Sequence, residues 1–163
     1  MNNIQLLVMD VDGTLTDGSI YIGAGGEIMK SFDVKDGYGI AHLLPQLGIR
    51  PVILTGRSSE IVARRAKELK IELLFQGVSD KLQILRQISD ELEIPPEQIA
   101  YIGDDLNDIK CMLFCGYSAC PGDAVSDIKE IASYVCINTG GHGAVRELID
   151  HLARLNHTFQ INT

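Results

Sequence analysis

The sequence has little positive charge and no long hydrophobic run. Its 14 lysines and arginines face 22 aspartates and glutamates, which gives a formal net charge of −8. A basic excess or stripe is typical of nucleic-acid-binding proteins, and a basic amphipathic helix is typical of proteins that bind a membrane surface. The sequence has neither, and no apolar stretch approaches the ~18–20 residues of a membrane-spanning helix. We therefore expect a small ligand, whose negative charge would be met by locally placed cations.

The sequence also lacks a C-x-x-C pair. Its cysteines are Cys111, Cys115, Cys120 and Cys136. The first apolar run is preceded by no basic segment and is interrupted by Asp10, so we expect no signal peptide. The cysteines are then expected to be reduced and mostly buried, and the expected compartment is the cytoplasm.

Short apolar runs alternate with amphipathic segments along most of the sequence. Strands are predicted at Ile4–Met9, Pro51–Leu54, Leu73–Phe75, Ile99–Ile102, Tyr117–Cys120 and Tyr134–Ile137. Helices are predicted at Asp36–Leu47, Ser58–Lys70, Ser79–Leu92, Asn107–Phe114, Ala124–Ile131 and Gly143–Leu155. This alternation predicts an α/β fold, with a Rossmann-like parallel sheet covered by helices on both faces. The length fits one domain over residues 1–155, followed by a polar tail over 156–163.

One segment, residues 19–34, departs from the alternation and is predicted to form a small β-hairpin. Gly23-Ala24-Gly25-Gly26 provides the turn, and Ile28, Lys30, Phe32 and Val34 are expected to share one face. The chain has no room for a separate cap domain, which needs at least ~50 residues. An isolated hairpin is marginal in water, so we expect it to contact another subunit, although a mobile surface flap is the simpler alternative.

Polar residues with a common chemistry follow the strands. Asp10 and Asp12 follow the first strand and can point the same way, Thr55 follows the second, and Asp104 and Asp105 follow a later one. Because ligands of parallel sheets bind beyond the carboxyl ends of the strands, these groups are expected to meet. Oxygen-only ligands suit Mg²⁺. Lys81, at the start of a helix, and the Thr55 hydroxyl would complete a pocket for a phosphate dianion.

In order and spacing these residues resemble the motifs of the haloacid dehalogenase superfamily, which are Asp10-Val11-Asp12-Gly13-Thr14, Thr55, Lys81 and Gly103-Asp104-Asp105. The resemblance implies that Asp10 attacks phosphorus to form an aspartyl-phosphate, and that Asp12 serves as acid and then as base. It implies Mg²⁺ held by Asp10, the Asp12 backbone carbonyl and Asp104, with Thr55 and Lys81 gripping the phosphoryl oxygens. Its remaining implication is that metal-bound waters and Lys81 are oriented by Asp105, Asn107 and Asp108.

Finer features are similar to those of the capless sugar-acid phosphatases of this superfamily, with 3-deoxy-D-manno-octulosonate 8-phosphate phosphatases, enzymes of lipopolysaccharide precursor synthesis, as the nearest type. This resemblance rests on residues 33–40, 54–57, 75–77 and 140–147. It implies a homotetramer in which neighbouring hairpins and tails close the site. The implied substrate-binding residues are Asp33, Val34, Lys35, Asp36, Gly37, Gly56, Arg57 and Arg65. Arg57 and Arg65 would bind the sugar carboxylate, for which the guanidinium fork is suited.

Two residues depart from the usual pattern of that type. Ala41 stands where Arg is frequent, and His142 stands between glycines where Lys or Arg is common. These differences leave open a phosphatase acting on a nonulosonic (sialic-acid-like) 9-phosphate. Phosphoryl transfer to an acceptor other than water also stays open. An alternative of another class is a regulatory module that binds metal or accepts phosphate on Asp10 without turnover, although a receiver aspartate has no need of Asp12.

Overall fold

The computed structural model describes residues 3–156, so the predicted tail from His157 onward lies outside the described residues. The strands are β1 Leu6–Met9, β2 Tyr21–Gly23, β3 Gly26–Met29, β4 Arg50–Leu54, β5 Leu73–Phe75, β6 Ile99–Ile102, β7 Tyr117–Cys120 and β8 Tyr134–Val135. The α-helices are α1 Val34–Tyr38, α2 Leu44–Gln46, α3 Glu60–Glu68, α4 Lys81–Leu92, α5 Ile109–Phe114, α6 Ser126–Ile131 and α7 Ala144–Leu155.

Six strands form one parallel sheet in the order β5-β4-β1-β6-β7-β8, and β2 and β3 form a separate antiparallel hairpin. The predicted fold class is confirmed. β1 lies in the middle of the sheet, where the chain first adds strands on one side and then on the other. Loops that follow β1, β4 and β6 therefore diverge at a topological switch point, where ligands of such sheets bind.

The strand residues alternate between two apolar cores. Leu7 and Met9 of β1 belong to one core, which also contains residues of α3 and α7. Leu6 and Val8 point to the other face, where residues of α4, α5 and α6 cover them. Full burial of β1 on both faces explains why it reads as an unbroken apolar run in the sequence.

The first predicted helix is composite. A π-helical segment, Gly39–Leu43, joins α1 to α2. Pro45 lies inside α2 and has no backbone N–H to donate, so the preceding turn widens, and the Leu44 N–H bonds to the carbonyl of Gly39. The helix ends at Gln46, one residue after the proline.

Two predicted boundaries were wrong for identifiable reasons. The helix predicted from Ser58 begins at Glu60, because the Ser59 hydroxyl caps it by accepting the Val62 N–H at 3.4 Å. β8 ends at Val135 rather than Ile137, because the carboxylate of Glu147 takes the N–H groups of Ile137 and Asn138, each at 2.9 Å. Those two amides are therefore withdrawn from strand pairing.

The hairpin is shorter than predicted, and the expected sharing of one face by Ile28, Lys30, Phe32 and Val34 was wrong. β3 ends at Met29, Ile28 is 65% exposed, and Lys30 is buried. Lys30 turns inward because two carboxylates neutralise it, as described below. The hairpin carries exposed apolar side chains, which are Ile20, Tyr21, Ile22, Ile28 and Met29. Among residues 3–156, no helix is long and apolar enough to span a membrane.

Candidate active site

Asp10 is the first residue after β1 and is buried at the carboxyl edge of the sheet. Its backbone N–H donates to the carbonyl of Ile102 at 3.0 Å, which fixes its position between β1 and β6. Lys81, the first residue of α4, donates to the Asp10 carboxylate at 2.7 Å. The two residues predicted as nucleophile and phosphate-binding cation are thus in direct contact.

Asp108 helps to hold this pair in place by binding Lys81. One of its carboxylate oxygens accepts hydrogen bonds from the Lys81 ammonium and the Tyr101 hydroxyl, both at 2.7 Å. The other accepts the Asp104 N–H at 3.1 Å and the Asp105 N–H at 3.4 Å. Because both oxygens are committed, Asp108 orients Lys81 and the loop after β6 rather than offering a free ligand atom.

Asp104 approaches the loop after β1 at a glycine. A Cβ added at Gly13, whose φ is +92°, would lie 2.0 Å from Oδ2 of Asp104. Only glycine permits both this backbone conformation and this approach. The hydroxyl of Thr14 then donates to the other Asp104 oxygen at 3.1 Å. Gly13, in the motif after β1, therefore makes room for the Asp104 carboxylate, which follows β6.

The site has an excess of buried negative charge. Burial, together with the nearby carboxylate of Asp108, raises the pKa of Asp10 to about 6, against the opposing charge of Lys81. Burial and the carboxylates of Asp10 and Asp108 raise the pKa of Asp104 to about 7. The burial of Lys81 disfavours its charge, but Asp10 and Asp108 outweigh that effect and raise its pKa. One cation is too little for three carboxylates.

A hard divalent cation fits this arrangement. Oxygen atoms of Asp10, Asp104 and Asp108 all lie within 4.8 Å of one another. With Asp108 already saturated by four donors, Asp10 and Asp104 are the side chains left to bind a metal. An all-oxygen set with few protein ligands suits Mg²⁺, which retains several waters or substrate oxygens.

The residues after β4 form a second wall of the site. Thr55 is buried, and its backbone is fixed by hydrogen bonds to Phe75 at 3.0 Å and from Val78 at 3.2 Å. Gly56 is exposed, and the Arg57 side chain is 48% exposed. The Arg57 guanidinium lies 3.6 Å from the Asp12 carboxylate, so it is available to a ligand at the edge of the site.

Sequence reasoning did not identify Lys30, which contacts Asp12, or Glu27, which contacts Lys30. Lys30, only 1% exposed, pairs with Oδ1 of Asp12 and lies 3.0 Å from a Glu27 oxygen. Burial disfavours the charge on Lys30, but hydrogen bonds from its ammonium group to Asp12 and Glu27 outweigh burial and raise its pKa. The sequence signal that could have identified Lys30 was its place as a single lysine on a strand face otherwise assigned to apolar residues.

Substrate-binding residues predicted at the start of the first helix occupy two different environments. Val34 and Lys35 are exposed, whereas Gly37 is buried against the Arg65 side chain. Asp33 caps α1, accepting the Lys35 N–H at 2.6 Å. Arg65 pairs with Glu68 at 2.9 Å and with the backbone of Asp33, and it lies over the Phe32 ring. Arg65 therefore joins α1 to α3, and its predicted carboxylate contact stays a prediction.

Asp36 is also buried and faces another helix. Its carboxylate accepts the Arg146 N–H at 2.7 Å, in the first turn of α7. The N-cap residue of α7 is Gly143, which has no side chain for that role, so Asp36 supplies the cap from 110 positions away. Burial raises the pKa of Asp36 to about 6. Its predicted role at the substrate entrance stays a prediction.

The other predicted residues lie near the site without entering the carboxylate cluster. Asp105 caps the 3₁₀ turn Leu106–Asp108, and Asn107 is exposed. His142 is exposed in a loop whose Gly141 N–H donates to Thr14 at 3.1 Å, so it borders the loop after β1. Ala41 is half-buried and packs against the core.

Comparison with known proteins agrees with this geometry. The model of the haloacid dehalogenase-like hydrolase family matches residues 60–148. A 3-deoxy-D-manno-octulosonate 8-phosphate phosphatase from Yersinia pestis is 46% identical over 91% of this chain and 79% of its own length. The chain belongs to the haloacid dehalogenase-like hydrolases.

Solved structures extend the similarity of this hydrolase to the whole fold. The phosphatase of the same name from Moraxella catarrhalis, in complex with a magnesium ion, a phosphate ion and a KDO molecule, superposes with a TM-score of 0.92 at 41% identity, covering 96% of this chain and 90% of that one. A cobalt-bound deoxy-D-mannose-octulosonate 8-phosphate phosphatase from Haemophilus influenzae gives a TM-score of 0.91 at 38% identity, with 95% and 90% covered.

Proposed function

We propose that this hydrolase is a Mg²⁺-dependent phosphatase that converts 3-deoxy-D-manno-octulosonate 8-phosphate to 3-deoxy-D-manno-octulosonate and phosphate, in lipopolysaccharide precursor synthesis. The observation that carries the proposal is the contact between Asp10 and Lys81, with Asp104 beside them and Arg57 at the edge. A nucleophilic carboxylate, a phosphate-binding cation, a metal ligand and a carboxylate-binding guanidinium thus occur in one site. The similarity to phosphatases of this name supports the choice of substrate.

Asp10 attacks the phosphorus atom and displaces the sugar oxygen, forming an aspartyl-phosphate. Asp12, two residues further along the same loop, protonates the departing alkoxide. Asp12 then removes a proton from the water that hydrolyses the aspartyl-phosphate, which returns Asp10 to its starting state. Lys81 and Thr55 contact the phosphoryl oxygens and stabilise the negative charge that develops on them.

Asp10, the Asp12 backbone carbonyl and Asp104 are the groups that would hold Mg²⁺. When bound, the ion neutralises the carboxylates and the phosphoryl group. Lys81 stays anchored by Asp108 in either case, because that ion pair does not involve the Asp104 carboxylate. The predicted metal-water contacts of Asp105 and Asn107 belong to this proposal.

Arg57 is the residue best placed to bind the sugar carboxylate. Its guanidinium is half exposed, and its distances of 3.6 Å and 3.7 Å from Asp12 and Glu27 exceed those of direct hydrogen bonds. A ligand carboxylate could therefore bind it bidentately. Lys35 and Val34, which are exposed, are the other candidates to line the entrance.

The test of the reaction is hydrolysis of sugar phosphates by the wild type and by Asp10→Asn in the presence of Mg²⁺. Loss of a covalent nucleophile should lower kcat by at least about 10³-fold, while Asp90→Asn, on the exposed face of α4, should match the wild type. A wild type without activity on any small phosphate ester would favour the regulatory module. Equal or higher kcat/KM for a nonulosonic acid 9-phosphate would reject the octulosonate as substrate.

We further propose that the protein is a homotetramer assembled through the hairpin, which would help to close the site. The support is the cluster of exposed apolar side chains on a two-stranded hairpin that does not join the main sheet. Sedimentation of the wild type should give a tetramer, and Ile22→Glu with Ile28→Glu should give smaller species. A monomeric wild type would refute this assembly.

We also propose that the protein works in the cytoplasm. Its four cysteines are free thiols, and three of them are buried, which suits a reducing compartment. Fractionation of cells that express a tagged chain should recover it with cytoplasmic markers. Recovery with periplasmic markers would reject the assignment.

A further inference from the structure

The base of the hairpin is tied to Asp12 by charged side chains. Lys30, the residue directly after β3, has a 1% exposed side chain that pairs with Oδ1 of Asp12 and lies 3.0 Å from Oε1 of Glu27. A lysine is rarely buried to this degree unless paired, so its place in the fold depends on these two carboxylates.

Glu27 connects this lysine to the main body of the protein. Its second oxygen accepts a hydrogen bond from the hydroxyl of Ser59, the N-cap of α3. The order of contacts is thus Asp12, Lys30, Glu27 and Ser59, running from the loop after β1 through the hairpin to a helix packed on the sheet. Lys30 is therefore held from both sides.

The arrangement leaves the two oxygens of Asp12 in different environments. Oδ1 is taken by Lys30, whereas Oδ2 faces the half-exposed Arg57 at 3.6 Å. The Asp12 side chain is 19% exposed. A proton-transfer group must lie within hydrogen-bond reach of the reacting oxygen.

We propose that Lys30 is a positioning residue for Asp12, and that Glu27 supports it. This inference rests on the proposed role of Asp12 in the phosphatase reaction. Lys30 fixes Oδ1, so that Oδ2 carries the proton toward the leaving oxygen.

As the Asp10–phosphorus bond forms and the phosphorus–sugar oxygen bond breaks, that proton passes to the alkoxide. The Lys30 ammonium then stabilises the carboxylate charge left on Asp12. The contribution of Lys30 is thus largest for esters whose leaving group needs the proton.

The test compares two phosphate esters in the intact protein with Mg²⁺. The leaving alkoxide of the sugar phosphate needs a proton, whereas 4-nitrophenyl phosphate releases a phenolate that leaves without one. Lys30→Met should lower kcat/KM for the sugar phosphate by about 10²-fold and for the aryl phosphate by less than about 3-fold. Lys30→Arg should recover most of the sugar phosphatase activity. Glu27→Gln should also lower kcat/KM selectively for the sugar phosphate, but by less than Lys30→Met does.

The matched control is Lys67→Met, an exposed lysine of α3, which should leave both values unchanged. Equal losses on the two esters, or no loss on either, would overturn the role of Lys30. Retained aryl phosphatase activity shows that a variant is folded with its nucleophile intact, and Lys30→Arg tests the charge should the methionine variant not fold.

Asp12→Asn in the same assay separates the two levels of inference. If Asp12→Asn shows the selective loss and Lys30→Met does not, only the inference about Lys30 fails. If Asp12→Asn shows no selectivity, the acid role of Asp12 is rejected, and the inference about Lys30 is rejected with it.

Discussion

Magnesium binding should weaken steeply as the pH falls from 8 to 6. As the pH falls, the carboxylates that would bind the ion become protonated. In the metal-free protein the pKa of Asp10 is raised to about 6 and that of Asp104 to about 7, chiefly because both are buried near other carboxylates. Mg²⁺ requires both in the charged form, so at lower pH it must displace protons.

The magnitude follows from these two values, taken as independent groups. At pH 6 about half of Asp10 and about nine-tenths of Asp104 carry a proton, so binding should release about 1.4 protons and be about 20-fold weaker than at pH 8. At pH 8 only about 0.1 proton should be released. Affinity thus rises with pH and levels off above the higher pKa.

Titration calorimetry in two buffers of different protonation enthalpy measures both the Mg²⁺ affinity and the number of protons released. Asp90→Asn, which removes an exposed carboxylate on α4, should leave the pH dependence unchanged. An affinity that is equal at pH 6 and pH 8, or a proton release below about 0.3 at pH 6, would refute the account of the buried carboxylates.

Three further substitutions test the site. Gly13→Ala places a Cβ 2.0 Å from Asp104 and forces alanine into a left-handed conformation, so it should lower stability by about 1–2 kcal/mol and weaken Mg²⁺ binding at least about 10-fold. The control is Gly25→Ala, whose Cβ would have no atom within 4 Å. Equal effects of the two substitutions in calorimetry and thermal melting would contradict the packing argument. Asp108→Ala leaves Tyr101 without its buried acceptor and Lys81 with Asp10 alone, so denaturant unfolding should show a loss of about 1–3 kcal/mol. A loss below about 0.5 kcal/mol would contradict the anchoring role of Asp108. Arg57→Ala should raise KM for the sugar acid phosphate about 10- to 100-fold and leave KM for a sugar phosphate without a carboxylate nearly unchanged. Equal effects on the two esters in steady-state kinetics would show that Arg57 does not bind the carboxylate.

The fold and the meeting of Asp10, Lys81 and Asp104 could be anticipated from the sequence because each depends on local signals. Apolar runs mark the strands, and polar residues follow them at one edge of a parallel sheet. The contact between Asp10 and Lys81 spans 71 positions, and both residues follow strands of the same parallel sheet.

Contacts set by packing between loops and helices could not be anticipated in the same way. The assignment of Asp36 to the α7 cap depends on how α1 lies against α7, which no local pattern encodes. Lys30 illustrates the same difficulty, because its inward orientation is decided by Asp12, 18 positions away, and not by the alternation within β3. The early end of β8 likewise results from Glu147, a residue of a different element.

The environment of Asp108 has a consequence for how the loop after β6 opens. That carboxylate has no exposed surface and binds α4, β6 and the loop backbone at once. If the Asp104 amide detached alone, part of a buried charge would lose its partner, so opening requires these three segments to separate together. Amide hydrogen exchange at Asp104 should therefore occur by the same large opening as in the core strands, whereas active-site loops commonly exchange through small local fluctuations.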